Sequence, residues 1–211
     1  MTINLPNKLT IFRLMLVPVF ITILSLEGTI PSFPAYLLAL IVFIAGVVTD
    51  YYDGKLARKH GLITNFGKLF DPVADKVLIC SAFVMFITIK ELMFPAWAVI
   101  LVLFREFVIT GLRALAASEG HVLGAERWGK VKAGWQMACV ITALTLLTIR
   151  SLIQLLSDAG YFDATSFMGY YDRGMRIVVW ILIAIVLYLT VVSGIQHLIK
   201  NRDFFFRPGQ M

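Results

Sequence analysis

Six apolar stretches, each about as long as the ~20 residues a helix needs to cross a bilayer, set the limits on what this chain can become. They run 9–26, 35–57, 71–90, 95–117, 133–156 and 176–199, separated by short polar breaks. The residues are 59% hydrophobic and only 15% charged, with a mean hydropathy of +0.84. A soluble domain carries about 25% charge, so a soluble globule is excluded. The first stretch is not a cleavable signal: Arg13 interrupts it, Pro18 bends it, and no small-x-small cleavage site follows Leu24-Ser25-Leu26-Glu27. Connections as short as Glu91-Leu92-Met93 require neighbouring helices to pack antiparallel. The expectation is an all-α, polytopic membrane protein, a bundle of six transmembrane helices forming a single domain over 1–211. The longest break, about 157–175, reads as an ordinary loop.

Basic residues orient the bundle. With an even number of spans both termini share one side, and that side collects twelve lysines and arginines against four on the other. The termini, and a functional site near them, are therefore expected in the cytoplasm. Trp97, Trp128 and Phe204-Phe205-Phe206 fit interfacial anchoring. Cys80 and Cys139 both lie in apolar runs, so there is no disulfide framework and no C-x-x-C site. The formal net charge of +6 is met by lipid head groups and phosphorylated substrates, with no need of nucleic acid.

Ionisable residues within spans are costly and mark function. Asp50 and Asp53 close the second stretch, and Asp71 and Asp75 open the third. At ~100° per residue, Asp50, Asp53, Gly54 and Ala57 share one helical face, with Arg58 about 80° further round. Gly67, Asp71 and Asp75 share a face of the next helix. The connection Lys59–Phe66 is short enough to bring both faces to one depth. Four carboxylates so gathered repel one another unless cations hold them together. Oxygen-only ligands, with His60 left in the connection, favour Mg²⁺ or Mn²⁺ over zinc. Two such ions can clamp a phosphoryl displacement, which points to a phosphate or pyrophosphate substrate. Gly54, Ala57 and Gly67 remove bulk where a ligand or a neighbouring backbone approaches, and Arg58 is placed to neutralise a phosphate. Spacing alone does not separate a fourth metal ligand from a general base.

Asp50-x2-Asp53-Gly54-x2-Ala57-Arg58-x8-Gly67-x3-Asp71-x3-Asp75 places eight fixed residues in 26 positions. The pattern resembles the complete signature of the CDP-alcohol phosphatidyltransferases. The resemblance implies six transmembrane helices, a homodimer, and transfer of a phosphatidyl group from a CDP-linked lipid to an alcohol with release of CMP. It also implies that Asp50, Asp53 and Asp71 hold two metal ions. Asp75 would be a general base that also touches a metal, and Gly54, Ala57, Arg58 and Gly67 would line the CDP-lipid site.

The acceptor alcohol must be read from other residues. An anionic acceptor needs extra cations, which Arg105, Arg113 and Lys130 supply, with Lys132 behind them. Arg105 and Arg113 stand about 12 Å apart along a helix axis and about 80° apart around it, so they can flank one phosphate. The competing use of Arg105 is a pair with Glu106. The stretches Asn4–Arg13, Arg105–Arg113 and Gly129–Lys132 are similar to the branch of the family that takes glycerol 3-phosphate as acceptor and CDP-diacylglycerol as donor. In that branch the positions matching Arg105, Arg113 and Lys130 are associated with the acceptor. A branch using phosphatidylglycerol, the cardiolipin synthases, is the enzymatic alternative. Asn7, Thr10 and Arg13 form a polar stripe near the same interface, open to substrate contact or to capping of the first helix by Asn7.

Other classes fit less well. A cation transporter places its carboxylates near the midplane on broken or repeated helices. A prenyltransferase needs more helices and two separated aspartate motifs, and a scaffold needs no carboxylates in register. With no Arg/Ser-rich transit segment before Asn4, the expected location is the bacterial cytoplasmic (inner) membrane.

Overall fold

The computed structural model describes the backbone of residues 5–60, 65–118 and 127–201, and the side chains of 9–50, 76–118 and 128–201. Among the described residues there are six α-helices: α1 (Leu5–Ser25), α2 (Ser32–His60), α3 (Asn65–Thr88), α4 (Ala96–Ser118), α5 (Arg127–Asp158) and α6 (Thr165–Lys200). Every expected apolar stretch lies largely within one of them, and there is no β-strand among the described residues.

Among the described residues, three helices are long and apolar enough to cross a membrane by length and composition: Ser32–Asp50 of α2, Trp128–Asp158 of α5 and Thr165–Lys200 of α6. Shorter apolar segments, Leu9–Ser25 and Lys76–Thr88, come from α1 and α3, and Arg105, Glu106 and Arg113 interrupt α4. One expectation is corrected: 157–175 is not one loop. Helix α5 runs to Asp158 and α6 starts at Thr165. Gly160 adopts φ +80°, the left-handed conformation that ends a helix, and its amide donates to the Ser157 carbonyl at 2.9 Å. Asp163 then caps α6: the Thr165 hydroxyl and amide both donate to Asp163 Oδ1, holding that carboxyl below its ordinary range. With its end so capped, the polar run Ser166–Arg176 continues as helix.

The chain forms two compact units. The first comprises Met1–Phe94 and Val140–Val179, the second Pro95–Cys139 and Trp180–Met211. In the first, α1 packs on α2 and α3. The buried face of α1 is Thr10, Arg13, Val17, Phe20 and Leu24, a 3–4 spacing that keeps one stripe inward. Phe20 meets Phe43 of α2 with ring centroids 6.0 Å apart, and Phe83 and Phe86 of α3 flank Phe94 at 5.7 and 5.5 Å. At Gly46 a Cβ would lie 2.3 Å from Leu78 Cδ2, so any larger residue there requires the Leu78 side chain to shift.

A polar knot gathers the start of α2, the turn after α3 and the facing parts of α5 and α6. Arg150 grips Asp172 through Nε (2.7 Å) and Nη2 (3.2 Å), and its Nη1 lies 3.7 Å from Glu91 Oε1. Arg176 Nε donates to the Glu91 carbonyl at 3.2 Å, and Tyr171 Oη to that of Leu146 at 2.9 Å. Tyr36 Oη donates to the Glu27 carboxylate. Arg150→Met leaves two carboxylates without their cation. It is expected to destabilise the detergent-solubilised protein by about 2 kcal/mol or more, read as a fall in Tm. Arg150→Met combined with Asp172→Leu is expected to recover part of that loss.

Candidate active site

The first part of the site follows from the backbone of α2 and α3. Helix α2 continues through Asp50, Asp53, Gly54, Ala57 and Arg58 to His60, and α3 carries Gly67, Asp71 and Asp75 from its first turns onward. Lys59 and His60, expected in the connection, belong to α2. Both acidic sets are therefore in helical register, and α2 and α3 are in contact. The side chains of Asp53, Gly54, Ala57, Arg58, Gly67, Asp71 and Asp75 lie outside the described residues.

Asp50 is described, and it has a partner the sequence did not supply. Arg13 Nη1 lies 2.7 Å from Asp50 Oδ1; Arg13 is 2% exposed and Asp50 36%. The inward stripe of α1 aims Arg13 into the unit, with Thr10 one turn before it and equally buried. A guanidinium on one carboxylate oxygen fixes the rotamer of Asp50 and leaves the other oxygen available to a ligand. Asn7, open to substrate contact or to capping, is the third residue of α1, so it lies inside the helix rather than at its cap.

In the second unit, three helices meet around Glu106. This carboxylate on α4 is 6% exposed, and Lys132 of α5, 3% exposed, contacts it through Nζ. Arg105 Nη1 lies 3.8 Å from the same Glu106 oxygen, while its Nη2 donates to Ser193 Oγ of α6 at 3.0 Å. Ser193 Oγ in turn donates to the Thr190 carbonyl at 3.3 Å. Arg113 is half-buried, and its Nε is buried with no hydrogen-bond partner among the described residues. Lys130 is exposed. The four cations expected at an acceptor phosphate thus divide into two engaged around Glu106 and two that are not.

Sequence reasoning passed over Gln136, Thr190, Ser193 and His197, all buried in this unit. A signal was present: Thr190, Ser193 and His197 recur at i, i+3 and i+7, a polar stripe along an otherwise apolar helix.

A family model, CDP-alcohol phosphatidyltransferase, matches residues 3–190, and the chain belongs to that family. Within it, the chain is 36% identical over 206 residues to a Bacillus subtilis protein named CDP-diacylglycerol--glycerol-3-phosphate 3-phosphatidyltransferase, covering 94% of this chain and 95% of that one. Proteins of the same name from Rickettsia felis (33%, covering 96% and 97%) and Treponema pallidum (34%, covering 79% and 79%) are similar as well.

Arg13 gives the test of this geometry. Arg13→Lys keeps the charge but loses the planar fork, and turnover is expected to fall about 10- to 100-fold, as when the partner of a metal-holding carboxylate is lost. An Arg13→Lys enzyme with full turnover would show that Arg13 is only an anchor.

Proposed function

We propose that this chain transfers the phosphatidyl group of CDP-diacylglycerol to a hydroxyl of glycerol 3-phosphate, giving phosphatidylglycerophosphate and CMP. The similarity to relatives bearing that activity in their name, across 94% of the chain, carries the reading. We read all 211 residues as one membrane-embedded catalytic domain. It would cross the bacterial cytoplasmic membrane six times with both termini inside, and work as a homodimer.

The donor set on α2 and α3, four carboxylates with no cysteine between them, fits hard divalent cations such as Mg²⁺ or Mn²⁺. Asp50, Asp53 and Asp71 would hold two ions, with Asp75 at their edge. When bound, such ions neutralise the pyrophosphate and the charge that develops on departing CMP. Gly54, Ala57 and Gly67 leave room for the nucleotide, and Arg58 pairs with a phosphate oxygen. Asp75 takes the proton from the acceptor hydroxyl as its oxygen bonds to the lipid-side (β) phosphorus, and the bond from that phosphorus to CMP breaks. Arg113 and Lys130 take the acceptor's own phosphate, in a positive field to which Arg105 contributes.

The reading is tested by CMP release from CDP-diacylglycerol by the purified protein with Mg²⁺, offering glycerol 3-phosphate, phosphatidylglycerol, serine and inositol phosphate in parallel. Release with glycerol 3-phosphate alone is expected. Release with phosphatidylglycerol instead would make the protein a cardiolipin synthase, and release with none would overturn the class. Asp71→Asn and Asp75→Asn are each expected to lower turnover at least ~100-fold while the protein still inserts in the membrane. Arg113→Ala and Lys130→Ala should raise the KM for glycerol 3-phosphate about tenfold or more, and that for the CDP-lipid far less.

A further inference from the structure

We infer that Glu106 is a positioning residue of the acceptor site: it holds Lys132 as a counter-ion, so that Arg113, not Lys132, takes the acceptor phosphate. The inference rests on the glycerol 3-phosphate reading and departs from the sequence-based expectation that Lys132 binds the phosphate.

Three observations in the second unit carry it. The Lys132 ammonium is almost wholly buried against Glu106, and a second cation, Arg105, lies 3.8 Å from the same carboxylate oxygen. A buried ion pair is no more stabilising than an apolar pair of the same shape, so stability alone gives no reason for charge here. Secondly, the Arg105 fork is turned to α6, where Ser193 accepts from Nη2 at 3.0 Å. Thirdly, Arg113 follows Glu106 by seven residues on α4, about 10.5 Å along the axis and only about 20° around it. Its buried Nε has no hydrogen-bond partner among the described residues, a donor that a phosphate oxygen would satisfy.

The charges explain why Lys132 is needed. Arg105, Lys132 and Glu106 together keep one net positive charge, and Arg113 adds a second on nearly the same face as Glu106. A phosphate dianion meets a matching field. Without Lys132 these three positions lose their net positive charge, Glu106 offsetting Arg105, so the phosphate is held less well.

Steady-state kinetics with CDP-diacylglycerol and glycerol 3-phosphate, on Lys132→Met, Glu106→Gln and the double variant, tests this. Lys132→Met is expected to raise the KM for glycerol 3-phosphate about tenfold, leaving that for the CDP-lipid within about twofold. Adding Glu106→Gln restores the net positive charge of these positions, and the double variant is expected to return the KM to within about threefold of the wild type. A double variant as poor as Lys132→Met would mean that Lys132 touches the phosphate and would overturn the inference. So would losses shared equally by both KM values and kcat, the mark of a purely structural pair. If Lys132→Met does not fold, the double variant, which removes both charges of the buried pair, decides against wild type: a KM raised tenfold or more overturns the inference. A wild-type enzyme that turns over CDP-lipid with another acceptor, or with none, would instead overturn the functional reading on which this rests.

Discussion

A charge placed among apolar helices must find its counter-charge close by, and this constraint shapes both units of the protein. Arg13 is held by Asp50, Lys132 by Glu106, and Arg150 by Asp172 with Glu91 near. Each pair joins residues far apart in sequence and fixes one helix against another. Apolar packing brings the helices together; the pairs define which way they face. Ridges of Leu and Val slide past one another at little cost, whereas a guanidinium on a carboxylate tolerates little displacement.

The same constraint separates structural charge from chemical charge. Asp50 keeps about a third of its side chain exposed although Arg13 is almost fully buried, so the pair is closed on one side and open on the other. In the second unit, Lys132 is enclosed with Glu106, while Lys130, two residues earlier, is exposed. Two lysines within a single turn of α5 thus meet different surroundings, one enclosed and one exposed, because 200° of rotation separates them.

Much of this was legible in the sequence, for reasons that also explain what was not. Apolar runs of about 20 residues have one regular solution, so the six helices fell where hydropathy put them. The signature Asp50–Asp75 could be read because its residues lie on consecutive helices and their phases follow from 3.6 residues per turn. Arg13 to Asp50 and Glu106 to Lys132 could not be read this way, since periodicity orders residues within a helix and says nothing of which helices meet. Polarity alone makes the run 157–175 read as a loop; the cap at Asp163 and the bond from Tyr171 to Leu146 let a polar stretch be helical. Thr190, Ser193 and His197 escaped notice because hydroxyls and one imidazole barely dent the mean hydropathy of α6, yet their spacing marks a buried face.

Counting bound Mn²⁺ by electron paramagnetic resonance in the purified protein tests the carboxylate pairing on α2 and α3 most directly, since it needs no substrate and no turnover. About two ions per chain are expected, displaced by Mg²⁺ and lost when Asp53 and Asp71 are both changed to asparagine. Binding that survives this double change, or no binding in the wild-type protein, would contradict the assignment of these aspartates as a metal site.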